Sequence, residues 1–170
     1  DDKAASHKYR EQDGRTALIS RTASMISGKG MILTNSAGNT GAAEWKRIGF
    51  PGDAHDVLTV GALAPDSTNT TFSSVGPTYD GRVKPDVMAM GGYCTVINGK
   101  GLVAHANGTS FSTPITCGLV ACLWQALPNK TASEIMQLVR ESADRADYPD
   151  NIFGYGIPDF WKAYQMGLNK

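Results

Sequence analysis

The stretch Asn107 to Pro114 reads Asn-Gly-Thr-Ser-Phe-Ser-Thr-Pro and runs straight into Ile115 to Leu127, which is apolar on nearly every face. A run of that length predicts a helix rather than a strand. Because the apolar residues are not confined to one side, the pattern predicts a core helix covered all round. Pro114 suits a first helical turn, where the amide hydrogen it lacks would have had no partner. Gly108 lets the chain turn sharply just before the helix. Ser110 is therefore expected on a tight turn at the positive end of a buried helix. A hydroxyl there is held rigidly, and the local field favours negative charge arriving beside it. The same residues also suit an ordinary N-cap, in which a serine oxygen accepts a free amide hydrogen. On this stretch alone both readings stay open.

The length of 170 residues fits one domain, and the 41% hydrophobic content can supply its core. Sixteen Lys and Arg balance sixteen Asp and Glu. That neutrality gives no electrostatic reason to expect nucleic acid or an acidic membrane as partner. No apolar stretch is long enough to span a bilayer. No signal peptide is visible, and because the chain opens on Asp1 it is expected to have been cut from something longer. Of the three cysteines, Cys117 and Cys122 lie on the same helical run but point in different directions, so they are not expected to bridge. The count is odd and the spacing is unlike a metal site. Cys94, Cys117 and Cys122 are all expected to be buried free thiols, packing as small hydrophobes.

Residues 1 to 15 are polar and aperiodic and read as an arm or loop. Thr16 to Ser27 carries a rough helical stripe of Ala17, Leu18, Ile19, Ala23, Met25 and Ile26, stopped by Gly28-Lys29-Gly30. Met31 to Thr34 reads as a buried strand, so helix, glycine stop and strand form half of a βαβ unit. The strand ends in Asn35-Ser36-Ala37-Gly38-Asn39-Thr40-Gly41, small residues where open α/β sheets place their ligand crevices. Asn39 offers an amide donor there, although a turn asparagine is the plainer reading. Asp56 to Leu63 is a second buried strand and Val87 to Met90 a third, separated by a long loop, Ala64 to Gly81. Asn98-Gly99 between two apolar runs predicts a hairpin of Cys94–Ile97 with Leu102–His105. Thr131 to Glu134 is a capping box opening an amphipathic helix with Ile135, Leu138 and Val139 inward. Asp159 to Tyr164 reads as a short terminal helix. The class is α/β: a partial doubly wound parallel sheet of about three strands, plus a small hairpin and a buried central helix.

Three of these stretches occur in a telling order. They are Ser36-Ala37-Gly38-Asn39, then Phe50-Pro51-Gly52 with its following strand, then Gly108-Thr109-Ser110-Phe111-Ser112-Thr113-Pro114. Together they resemble the subtilisin-like serine proteases, the subtilases. Phe72-Ser73-Ser74-Val75-Gly76-Pro77, Lys84-Pro85-Asp86-Val87 and Gly154-Tyr155-Gly156 look like further landmarks, and the likeness covers roughly residues 16 to 165. The resemblance implies a serine endopeptidase in which Ser110 is the nucleophile and forms an acyl-enzyme. It implies that Asn39 donates to the tetrahedral oxyanion together with the Ser110 amide, assisted by the Thr109 hydroxyl. Ser36, Ala37 and Gly38 would form one wall of the specificity pocket, and Phe50-Pro51 would be cis. Peptide or protein substrates and a secreted or extracytoplasmic location follow from the same likeness. Calcium is a common companion of the family, but no ligand cluster in this sequence can be assigned to it.

A serine hydroxyl needs a base, and in this family the chain order is Asp, then His, then Ser. Neither an Asp-Ser/Thr-Gly after a buried strand nor a His-Gly-Thr helix start precedes Asn39. His7, His55 and His105 occupy none of the family positions, and ordinary structural or solvated roles are expected for all three. Residues 16 to 170 therefore read as the carboxyl-terminal half of a subtilase catalytic domain, carrying nucleophile and oxyanion hole without the acid–base pair. Such a chain is expected to be inactive alone. It is also expected to expose an edge beside Met31 to Thr34 and an apolar patch on the core helix, inviting a homodimer. The alternative is a non-catalytic α/β binding or structural module that keeps the Ser110 turn only as a helix cap.

Overall fold

The computed structural model describes residues 6 to 169. Its centre is a parallel sheet of β1 (Leu33–Ser36), β2 (Val57–Leu63) and β3 (Val87–Met90), in that spatial order. Leu33 pairs with Val57 across β1 and β2, and Val60 with Val87 across β2 and β3. All seven residues of β2 are buried, as the central strand of a sheet covered on both faces should be. Successive side chains of a strand point to opposite faces. Accordingly Leu58 and Val60 join one core with Val120, Leu123, Ile135 and Val139, while Val57 joins Ala23, Ala54 and Leu33 in another. The first core is formed by α2 (Thr109–Ala126), α3 (Ala132–Ser142) and α4 (Phe160–Leu168), the second by α1 (Leu18–Ser27). A two-stranded antiparallel hairpin, β4 (Cys94–Ile97) with β5 (Val103–Ala106), stands apart from the sheet.

Most element boundaries fall where the sequence pattern puts them. The capping box is formed as expected, with Thr131 Oγ1 accepting from the Glu134 amide and Glu134 accepting from the Thr131 amide. Phe50–Pro51 is cis, as are Gly76–Pro77 and Lys84–Pro85. The last helix starts at Phe160, capped by the Asp159 side chain, and runs on to Leu168.

Three expectations are corrected, and they share one cause. The first is α1, whose large apolar side chains point outward: Leu18 is 68%, Ile19 52% and Met25 69% exposed. Its buried face is Ala17, Ser20, Ala23 and Ser27, small residues that let the helix lie close against the sheet, with Ser20 Oγ donating to the buried Asp53 carboxylate at 2.5 Å. Next, α2 is covered on one side only rather than all round, through Thr109, Ser112, Thr116, Val120 and Leu123; the exposed Ile115 and Leu119 are the apolar patch that the half-domain reading expects on this helix. Its two cysteines, Cys117 and Cys122, are exposed as well; only Cys94 is buried, and all three are free. In the same way, the first strand is Leu33–Ser36 rather than Met31–Thr34 and is half-buried, because it has a neighbour on one side only. The common cause is that no described residues cover the outer side of β1. Residues 6 to 15 are the described part of the polar arm or loop; residues 1 to 5 lie outside the described residues. That segment is docked. Tyr9–Glu11 form a 3₁₀ turn, and the fully buried Gln12 donates its Nε2–H to the Ile48 carbonyl. The Gly14 amide donates to Asp53 at 2.8 Å, so the arm satisfies polar groups of the 48–53 loop.

A buried ion network fastens the sheet to α3. Lys84 Nζ donates to Asp86 Oδ2 at 2.6 Å and to the Val57 carbonyl at 2.9 Å, and Arg140 Nε donates to Asp86 Oδ1 at 2.8 Å. The Thr59 amide adds a third bond to the Asp86 carboxylate at 2.7 Å. Burial pushes the Asp86 carboxyl up, but the Lys84 and Arg140 charges and these hydrogen bonds outweigh it and hold its pKa below the usual aspartate value. Burial pushes the Lys84 ammonium down, against the opposing pull of Asp86. Removing one partner strands the others in the interior, so Asp86→Asn should cost about 3–5 kcal/mol in urea unfolding at neutral pH. The sign with pH follows from the depressed carboxylate. Its stabilisation is complete above an unfolded value of about 4 and is lost as pH falls through the lower folded value. Wild type should therefore lose stability more steeply than Asp86→Asn on acidification below about pH 4.

Candidate active site

The site forms where the carboxyl end of β1 meets the amino end of α2. The N-cap of α2 is Gly108, without a side-chain cap bond, and Thr109 is the first helical residue. The capping role is filled from a distant segment. Asn39 Oδ1 accepts the Thr109 amide at 2.9 Å and the Thr109 hydroxyl at 2.9 Å. Thr109 Oγ1 in turn accepts the Gly38 amide at 3.2 Å. The end of β1 and the start of α2 are thus stitched by three hydrogen bonds through two side chains.

This arrangement fixes what remains free. With Oδ1 doubly occupied, the Asn39 amide nitrogen is left without a partner among the described residues and lies over Gly108, where a Cβ would stand 3.4 Å from it. Ser110 is exposed, one residue into the helix, and its hydroxyl and backbone amide make no hydrogen bond to another described residue. Ser110 is therefore no helix cap. Two unpaired donors and a bare hydroxyl sit at the positive end of an 18-residue helix, which favours negative charge there.

Ser110 opens into a groove of about 430 Å³ lined by Thr34, Asn35 and Ser36 of β1 and by Thr113, Pro114 and Cys117 of α2. Among the described residues, no His, Asp or Glu lines it. His7 pairs with Glu11 at 3.1 Å. His55 approaches the Asp13 carbonyl at 3.1 Å and Asp80 at 3.9 Å. His105 stacks on Tyr93 at 3.9 Å between ring centroids. All three rings thus make their contacts away from this groove.

The remaining residues of interest divide by burial. Ser36 and Gly38 are half-buried and Asn39 is exposed, so they can face a ligand. Ala37 is fully buried; its amide donates to Val60 at 2.9 Å and its carbonyl accepts from Gly49 at 2.8 Å, so only its backbone is available to a pocket wall. Thr109 is 1% exposed and its hydroxyl is engaged on Asn39 and Gly38, which makes it a support for Asn39 rather than a group presented to a ligand. Sequence reasoning missed that support and also the contacts that Ser74 makes with the Asn39 loop. Its only signal was the Phe72-Ser73-Ser74 run, marked as a landmark without a role. For a metal, no group of three His, Cys, Asp or Glu side chains converges among the described residues, so no step is routed through calcium. Among the described residues, no helix is long and apolar enough to cross a membrane.

Comparison with known proteins fits this geometry. The chain is 33% identical over 149 residues to serine protease AprX of Bacillus subtilis (strain 168), a match covering 75% of this chain and 34% of that protein. It is 28% identical over 128 residues to alkaline elastase YaB of Bacillus sp. (strain YaB), covering 75% of this chain and 32% of that one. The chain thus spans about a third of the length of these two relatives. Among solved structures, the self-cleaved protease domain of PatA superposes with a TM-score of 0.72 at 24% identity, covering 88% of this chain and 54% of that one. MycP1 from Mycobacterium smegmatis gives 0.63 at 24%, covering 81% and 42%. The sequence model of the Subtilase family matches residues 5–156, most of the chain, and the chain belongs to that family.

Proposed function

We propose that this chain carries the nucleophile and oxyanion hole of a serine endopeptidase of the subtilisin type. Ser110 Oγ attacks the scissile carbonyl and forms the acyl-enzyme, which water then hydrolyses. The Asn39 Nδ2–H and the Ser110 backbone N–H donate to the oxyanion of the tetrahedral intermediate. Ser36, the Ala37 backbone and Gly38 form one wall of the pocket for the substrate side chain. The observation that carries this reading is the Asn39 carboxamide. Its oxygen is pinned by Thr109, and its nitrogen is left without a partner among the described residues, over Gly108 at a helix N-terminus. A module that kept Ser110 only as a cap would show the hydroxyl bonded to the helix; Gly108 holds the cap position instead.

The base that takes the Ser110 proton comes from outside these 170 residues, on a segment that lies against the free edge of β1. That segment would also cover Ile115 and Leu119 of α2 and bring the Asp–His pair to the groove. Substrates are peptides or proteins, and the working location is secreted or extracytoplasmic, in line with the family. Neutral charge supports neither nucleic acid nor a membrane surface as a partner. Left alone, the same edge and apolar faces favour association with a second copy.

Two outcomes are expected. In the complete polypeptide that bears these residues, Ser110→Ala should abolish peptide hydrolysis. Asn39→Ala should lower turnover by roughly 10²–10³, the magnitude already known for this donor in a subtilisin rather than one derived from the geometry. Hydrolysis that survives both substitutions would contradict the assignment. The isolated chain should self-associate in multi-angle light scattering as concentration rises; a clean monomer throughout would count against the exposed edge.

A further inference from the structure

The Thr70–Val75 segment is a rib between the central strand and the Asn39 loop. Two adjacent serines on it face opposite ways. Ser73 Oγ accepts the Ala62 amide of β2 at 3.0 Å, and Thr70 Oγ1 donates to the Ala62 carbonyl at 2.9 Å, so one side of the rib is anchored on the sheet. Ser74, fully buried, faces the loop. Its amide donates to the Gly38 carbonyl at 2.9 Å. Its Oγ accepts the Thr40 amide at 3.0 Å and lies 2.9 Å from Thr40 Oγ1. Thr40 Oγ1 spends its own hydrogen on the Arg47 carbonyl at 3.3 Å, so Ser74 is the donor between the two hydroxyls. One residue thus grips both neighbours of Asn39.

The glycines on the loop are shaped to this grip. A Cβ on Gly38, whose φ is +109°, would stand 2.9 Å from Ser74 Oγ. A Cβ on Gly41 would collide with the Ser73 carbonyl, while the Gly41 amide donates to Phe72 at 2.8 Å. Asn39 is therefore fixed at two points, at its side-chain oxygen by Thr109 and at its backbone by Ser74. Two points define the direction in which Nδ2 is presented, and an oxyanion donor is effective only when aimed in advance.

We infer that Ser74 is a positioning residue for the Asn39 oxyanion donor, acting through the hydrogen bonds that bracket Asn39. The inference rests on the reading of Asn39 and Ser110 proposed above. Removing the hydroxyl releases Thr40 and leaves the Asn39 backbone held on one side only.

The test is a double-mutant cycle on peptide hydrolysis by the complete polypeptide. Ser74→Ala should lower kcat about tenfold with KM unchanged, the scale of one or two lost hydrogen bonds. In the Asn39→Ala background the same substitution should cost about twofold or less, because the donor it aims is gone. An equal loss in both backgrounds would show a general structural role and overturn the inference, as would no loss from Ser74→Ala when Asn39 is intact. If Ser74→Ala does not fold, Thr40→Val replaces it, since Thr40 is exposed and supplies the acceptor for the Ser74 hydroxyl. It should lower kcat about threefold in wild type and leave Asn39→Ala unchanged; equal effects overturn the inference. Should Asn39→Ala and Ser110→Ala themselves leave hydrolysis intact, the reading of the site falls, and the inference with it.

Discussion

The carboxamide oxygen of Asn39, accepting both the amide and the hydroxyl of Thr109, is the contact on which the site depends. It joins two segments 70 residues apart in the chain, the end of the first strand and the first turn of the long helix. It satisfies a first-turn amide that the helix cannot pair internally. By using the oxygen it commits the nitrogen of the same side chain to face outward. One interaction therefore caps the helix, closes the crevice and orients a donor. Its physical basis is the two-ended chemistry of an amide, which a carboxylate or a hydroxyl could not reproduce.

The supports for that contact lie progressively deeper. Thr109 and Ser74 hold Asn39 directly, Ser73 and Thr70 tie the Ser74 rib to β2, and β2 is buried along its whole length. Beneath it the Lys84–Asp86–Arg140 network locks the sheet to α3. The rigid side of the molecule is thus the side bearing β2, β3, α3 and α4. The opposite side ends in a half-buried strand and two helices that turn apolar residues outward. Asn39 and Ser110 stand at the ends of β1 and α2, where Ser74 anchors the Asn39 loop to the buried side, while the groove of Ser110 opens along the uncovered one. On the reading proposed above, that division sets a finished half of a reaction site beside an incomplete one.

Legibility in the sequence follows the range of the forces involved. The long helix, the glycine stop after α1, the buried β2 and the capping box at Thr131 were readable, because period, length and local turn chemistry determine them. Ser110 and Asn39 were readable only as a set with the other ordered stretches. The exposures of Leu18, Ile19, Met25, Cys117 and Cys122 were not. An apolar residue signals that burial would be favourable, but not whether a covering layer is within reach. The pattern on α1 also misled for a second reason: its tight packing uses Ala and Ser, whose burial leaves little hydrophobic signal. Ser74 was invisible because Thr40 lies 34 residues away and because two of the three contacts use a backbone group of the Asn39 loop, which carries no side-chain code.

The central claim is that these residues hold a nucleophile and its oxyanion hole without the base that activates them. Intact mass of the purified chain after exposure to a fluorophosphonate probe addresses it most directly, with Ser110→Ala as control. The account expects no adduct on either protein, because an unassisted serine hydroxyl reacts poorly. A single adduct on wild type, absent from Ser110→Ala, would contradict it and would place an activating base within the chain or within a second copy of it.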